Sequence, residues 1–383
     1  MRAIERTALR ILSGCGLALI VFGSAGQAQL PPVKPGPTPT EANFFIATPP
    51  GWTQPKTPWG DPDLQGIWPI SYVGTVPLQR CVGGFGPRPA NAPPCDPHKA
   101  FLTEQEFKAI QERVAKQPDR YANAVKDGEG GRAFLAGVMD VFTPQRQTSL
   151  IMDPPDGKLP EMTPEGKRLS SLMKSSWALP GEKPVFDSYT DFDSWDRCIT
   201  RGLPASMFPF RYNNGLQIVQ APGYVALRME MIHESRIIAL NAPPVSPAIK
   251  EWLGVSRGHW DGNTLVVETT NFKPGASATN TGVMGSPPGN RFPTSEQMKM
   301  TERFTRLNND FLIYQITVED PVVLTRSWTA RFPLKLDNSF QILEYACTED
   351  NNMIPHWIST SRAERAQEAA KAAGAQPAKE QHR

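Results

Sequence analysis

Between residues 212 and 304 polar groups interrupt apolar strand patterns, and these are the side chains whose types and spacing can do chemistry. Over residues 224–236, strand alternation places Val225, Leu227, Met229, Met231 and His233 on one face. Arg228, Glu230, Glu234 and Arg236 fall on the other. A histidine ending an apolar face titrates near neutrality and can give or take a proton. The same position also suits a histidine hydrogen-bonded at a sheet edge, and the charged face suits solvent. Glu268 shares a face with Val266 and Phe272, Glu302 with Met298, Met300 and Phe304, and Glu344 with Ile342 and Ala346. Burying an unpaired carboxylate costs several kcal/mol. These glutamates therefore imply structural pairing with Arg236, Arg257, Arg303 or Arg326, or else a polar cavity. The cavity alternative assigns His233, Glu230 and Glu302 to catalysis and Arg236, Arg257 and Glu268 to ligand binding. Alternation does not put His233 and Glu230 on one face, so that assignment requires a bulge near Ile232.

Other motifs carry less. Gly254-x-Ser256-x-Gly258 matches a hydrolase nucleophile elbow, which works only where a strand runs into a helix. Here a turn leads into Thr264-Leu265-Val266-Val267, so the glycines read as bends around a hairpin. Asp191-Phe192-Asp193-Ser194-Trp195-Asp196 lacks the glycine and distal glutamate of a calcium loop and reads as a solvated turn. No HExxH or CxxC occurs, and the pattern implies neither a metal nor a cofactor.

The elements that must position these residues are mostly strands. Residues 216–220 and 224–231 flank Ala221-Pro222-Gly223, residues 255–260 and 264–270 flank Asp261-Gly262-Asn263, and residues 298–307 and 311–318 flank Asn308-Asn309-Asp310. Residues 326–334 and 341–348 complete the set. Short turns without helical crossovers predict a mainly β fold, an antiparallel meander closing into a lipocalin-like barrel or curved sandwich. Two short helices precede it. One starts at Thr103, where Thr103 and Glu106 form a capping box, and one at Thr163 with Pro164 in its first position. The expected organisation is a signal peptide over 1–28, a proline-rich flexible arm over 29–60 and a loop-rich wrapping region over 61–205. An antiparallel β domain over 206–360 and an Ala-rich helical and disordered tail over 361–383 follow.

The compartment follows from the first residues. Arg2, Arg6 and Arg10 precede an uncharged run over 11–26 that ends in Gly26-Gln27-Ala28, the pattern of a cleaved secretory signal. The expected location is periplasmic or secreted, with no transmembrane anchor in the mature chain. Four cysteines remain after cleavage: Cys81, Cys95, Cys198 and Cys347. An even number in an oxidising compartment predicts two disulfides, with Cys81–Cys95 the favoured pair and Cys198–Cys347 the complement. The 383-residue chain has 40 Lys and Arg against 38 Asp and Glu. With no basic stripe interleaved with aromatics, nucleic acid is not an expected partner.

The chain from Asp153 onward resembles a large family of exported bacterial proteins without an assigned reaction. The resemblance rests on Asp153-Pro154-Pro155-Asp156-Gly157, Arg197-Cys198-Ile199, Arg201-Gly202-Leu203-Pro204 and Tyr212-Asn213-Asn214-Gly215. It continues through Met231-Ile232-His233-Glu234-Ser235-Arg236-Ile237-Ile238, Ser256-Arg257-Gly258-His259-Trp260-Asp261-Gly262-Asn263, Glu302-Arg303-Phe304 and Glu344-Tyr345-Ala346-Cys347. Tyr212 and Asn213 join the candidate ligand-binding residues. Asp63-Leu64-Gln65-Gly66-Ile67-Trp68 and the Trp260-Asp261-Gly262 hairpin are similar to lipocalin-like barrels in fold only. The expected function is binding of a small apolar or aromatic molecule in a barrel cavity. His233 and a carboxylate would add lyase, isomerase or hydrolase chemistry. A ligand carrier without chemistry, or an envelope interaction protein, is the alternative.

Overall fold

The computed structural model describes residues 39–82, 94–115, 143–177, 181–210, 212–275, 291–349 and 351–374. The expected signal peptide lies outside them. Among these residues ten strands form one curled, mixed sheet, a half-barrel. They are β1 (Gly66–Ile67), β2 (Ile151–Asp153), β3 (Leu216–Ala221), β4 (Tyr224–Met229) and β5 (Ser235–Leu240). The others are β6 (Val255–Asp261), β7 (Thr264–Thr270), β8 (Lys299–Arg306), β9 (Phe311–Glu319) and β10 (Trp328–Lys335). The spatial order is β1-β3-β4-β5-β6-β7-β8-β9-β10-β2. It is the expected meander, bordered on each edge by a short strand from the N-terminal half.

Each hairpin forms where its turn residues stand; Gly262, at φ 59°, supplies the left-handed residue between β6 and β7. The inner face is filled by the chain's own side chains. Leu64, Trp68, Val73 and Leu78 pack there against Leu227, Leu265, Phe304, Tyr314 and Phe332 in one buried cluster. At about 25 cal/mol per Å² of apolar surface removed from water, a core of this kind is the main driving force of the fold.

Among the described residues three α-helices accompany the sheet: α1 (Glu104–Ala115), α2 (Pro164–Leu172) and α3 (Met353–Ala372). The α1 start shows the expected box, Glu106 N donating to Thr103 Oγ1 and Thr103 N to Glu106 Oε2. Thr163 caps α2 by accepting from Gly166 N at 2.9 Å. No described helix is long and apolar enough to cross a membrane. Both expected disulfides are present, Cys81–Cys95 and Cys198–Cys347.

Four expectations need correction. The sheet is not wholly antiparallel: β5 and β6 run parallel, because residues 241–254 carry the chain back before β6 begins. Residues 341–348 form no strand: 341–346 have no regular structure and a turn follows, and Leu343 N donates to the Glu230 side chain instead of to a neighbouring strand. Residues 40–60 are not a free arm. Phe44 and Phe45 pack edge-on to Phe101, and Trp52 Nε1 donates to Asn309 Oδ1 at 2.9 Å. Helix α3 begins at Met353, inside the span 206–360 expected to belong to the β domain.

Candidate functional site

The site begins with a kink. Strand β4 alternates as its sequence directs, with Val225, Leu227 and Met229 buried and Tyr224 and Arg228 exposed. A 3-10 turn then spans Met231–His233, and Ile232 (φ 58°) and His233 (φ 44°) both adopt left-handed backbone. Such a conformation is rare for a β-branched residue and persists only where surrounding structure enforces it. The kink resets the pleat. In β5 the even residues Arg236 and Ile238 point inward, while Ser235 and Ile237 are exposed. The charged face expected to meet solvent is therefore split, leaving Arg228 outside and burying Glu230, Glu234 and Arg236.

Inside, Arg236 meets Glu302 of β8, which is 0 % exposed between Met300 and Phe304. The pair is bidentate: Nη1 donates to Oε1 at 3.0 Å and Nη2 to Oε2 at 2.5 Å. Nη2 also reaches Ser256 Oγ at 3.0 Å and Thr269 Oγ1 at 3.1 Å, and Tyr314 donates its phenol to Glu302 Oε1 at 2.8 Å. Burial pulls the guanidinium's pKa down, but the Glu302 carboxylate more than offsets that and the net shift is upward. Burial, reinforced by Glu302, raises the Tyr314 phenol well above its ordinary range. A buried ion pair is tolerable only with this degree of hydrogen bonding. Ser256, centre of the Gly-x-Ser-x-Gly match, lies within β6 with Arg236 and Thr269 as partners and no helix after it, so it has no hydrolase geometry.

Glu234 enters the buried layer from the kink's other end. It accepts from Thr200 Oγ1, from Arg201 N at 2.8 Å and from Ser206 Oγ at 2.5 Å. Burial raises its pKa, and these hydrogen bonds oppose the shift. Arg201, packed over the Trp195 and Phe210 rings, is lowered to about 10 by burial against the pull of Glu234.

Over this polar layer the sheet splits. Strands β5 and β6 pair only at Ala239–Arg257 and Leu240–Gly258. Gly258 permits that approach, because a Cβ there would stand 2.8 Å from Ile238 Cγ2. Before the contact, a cleft of about 650 Å³ separates the strands. Thr200, Glu234, Arg236 and Ser256 form its buried polar floor. Ile199, Ile237, Trp252 and Leu253 make its walls, and Lys250, Glu251 and Lys273 stand at its rim. Lys273 Nζ lies 4.8 Å from the centre of the Trp252 ring. The Arg236 Nε is buried and has no hydrogen-bond partner among the described residues.

The residues singled out by sequence thus fall into three groups. Arg236 and Glu302 come together beneath the cleft. Glu230, His233, Tyr212 and Asn213 cluster at the kink, away from that pair's hydrogen bonds. Glu230 accepts from Asn213 Nδ2 at 3.0 Å, Gly215 N at 2.9 Å and Leu343 N at 3.0 Å. The exposed His233 ring sits with Nδ1 2.8 Å from the Tyr345 carbonyl, and Tyr212 packs edge-on to Phe210. No hydrogen bond joins the His233 side chain to Glu230 or Glu302 among the described residues, so the distortion at Ile232 does not produce the expected dyad. Arg257 and Glu268 lie on the outer face, 3.9 Å apart, where Glu268 also meets Lys299 at 3.3 Å. Glu344 is exposed in the irregular segment after β10.

Sequence reasoning missed Glu234, Thr200 and Trp252 as site residues. Only the turn at Ile232–His233 brings Glu234 inward, and neither residue type advertises a turn. In the acidic stretch, Asp196 accepts from Ser176 N at 2.8 Å and Ser176 Oγ at 2.6 Å. No cluster of three or more metal-ligating side chains occurs among the described residues. No family model, curated protein or solved structure matches the chain.

Proposed function

We propose that this chain is an exported binding protein that takes a small molecule with an aromatic or apolar body in the cleft between β5 and β6. One observation carries the reading. A cleft with apolar walls ends on a buried arginine whose Nε lacks a partner. Apolar walls with a few convergent polar groups are the common composition of small-molecule sites. The ligand accordingly has a ring or alkyl body against Trp252 and Ile237 and an acceptor oxygen aimed at Arg236. Two disulfides and the basic, apolar and small-residue order of the first 28 residues support export. Among the residues singled out by sequence, Arg236 and Glu302 fit this reading as anchor and support. Acid–base chemistry by His233 lacks a partnered carboxylate and draws no support from the contacts at the kink.

Benzoate, a ring bearing an acceptor, is a suitable probe, with binding followed by saturation-transfer NMR. Trp252→Ala removes a wall on the surface and should weaken binding at least about fivefold, the loss of roughly 1 kcal/mol of apolar contact. The paired replacement Arg236→Met with Glu302→Met keeps the interior apolar and should abolish binding in a folded protein. Equal binding by wild type and both variants would rule the cleft out.

A further inference from the structure

A second cavity, of about 450 Å³, opens beside α2. That volume lies in the range of small-ligand sites. Its walls are mainly apolar, with Leu169, Leu172 and Met173 at the end of α2 facing Phe192, Pro274 and Pro293. Thr294 also lines it, is only 3 % exposed, and its Oγ1 has no hydrogen-bond partner among the described residues. Native proteins leave few buried hydroxyls unpaired, because each such group loses its water without compensation.

The charged side chains around the cavity are already engaged. Lys174 pairs with Asp191, and Arg197 Nε donates to the Asp193 carbonyl at 3.1 Å. The Asp193 carboxylate accepts from Ser175 Oγ at 2.8 Å and from the backbone of Trp195 and Asp196, and Glu296 stands 3.5 Å from Lys250. The two cations lining the cavity, Lys174 and Arg197, are balanced by Asp193 and Glu296. Among the described residues lining the cavity no net charge is left to select an ion, and the Thr294 hydroxyl is the buried polar side-chain group without a partner.

We infer that this cavity is a second binding site, distinct from the β5–β6 cleft, for a neutral, mainly apolar molecule carrying one hydroxyl or carbonyl oxygen that meets Thr294. A hydroxyl ligand satisfies Thr294 whichever of the two acts as donor, whereas a pure hydrocarbon leaves it unpaired.

Binding of 2-naphthol and of naphthalene to the full chain, read by probe fluorescence, separates these cases. Wild type should prefer 2-naphthol by about fivefold or more, the worth of one hydrogen bond of roughly 1 kcal/mol. Thr294→Val should erase the preference, keep naphthalene affinity, and raise the urea midpoint because the orphan hydroxyl is gone. Leu172→Glu, at an exposed wall position, should weaken both probes without changing the midpoint. An unchanged preference in Thr294→Val, or no binding of either probe to wild type, would overturn the proposal. So would probe binding lost in Trp252→Ala but retained in Leu172→Glu, which would place the probes in the β5–β6 cleft.

Discussion

Arg236 with Glu302 and Arg257 with Glu268 are two arginine–glutamate pairs in one sheet, set on opposite faces. The inner pair is bidentate, buried to 2 % and 0 % side-chain exposure, and held by Ser256, Thr269 and Tyr314. The outer pair is a loose ion pair at 3.9 Å, too long for a hydrogen bond, with 23 % and 40 % exposure, and Glu268 divides its charge between Arg257 and Lys299. Residue type is the same; the environment decides what the pair does. Outside, water screens the charges and the pair adds little. Inside, an unpaired donor is costly, and within this pair Arg236, a residue lining the cleft, keeps an Nε that has no hydrogen-bond partner among the described residues.

The sharpest way to break this comparison is to remove one partner from each pair. Glu302→Ala strands the Arg236 charge and should cost about 3–5 kcal/mol in urea unfolding. The Arg236→Met, Glu302→Met double replacement should recover most of that loss, since an apolar pair does not need the network. Glu268→Ala should cost less than about 1 kcal/mol and less still in high salt. If Glu302→Ala and Glu268→Ala cost the same, the contrast between the faces fails.

Acids extend the comparison to pH. On the outside, Arg303 holds the Asp261 carboxyl below its usual range through a hydrogen bond and then its charge. Within the turn beside α2, burial and then Asp196 push Asp193 up to about 6. A carboxyl raised in the folded state favours folding when protonated. Its contribution is complete below the unfolded value near 3.9 and is lost as pH rises through the folded value of about 6. The stability difference between wild type and Asp193→Asn should therefore change between pH 4 and 6.5, moving against wild type as pH rises. Glu234, also raised by burial, should show the same sign in Glu234→Gln. A flat difference for both would remove burial as the cause.

Much of the frame was legible because local chemistry dictates it. Asp261-Gly262-Asn263 forces a hairpin, Thr103 and Thr163 cap their helices, and the cysteines pair as their number requires. The site was legible only in part. Alternation correctly put Glu302 among Met300 and Phe304, but it carried β4 straight through His233 and so turned Arg236 outward. Ile232 and His233 carry no glycine or asparagine to mark their left-handed turn, and tertiary packing alone holds it. Residues 341–348 show apolar alternation like a strand, yet Leu343 N goes to Glu230 and Cys347 to Cys198. Pattern cannot distinguish a chain that pairs with a strand from one that ties down a kink.

The central claim is that Arg236 Nε waits for a ligand's acceptor in the split between β5 and β6. Its most direct test is the Arg236 Nε–H resonance, followed in ¹⁵N-labelled full-length protein as benzoate is added. The account predicts a saturable shift of that resonance, parallel to the Trp252 indole and absent in Trp252→Ala. Benzoate binding that moves other resonances while Arg236 Nε–H stays fixed would contradict it.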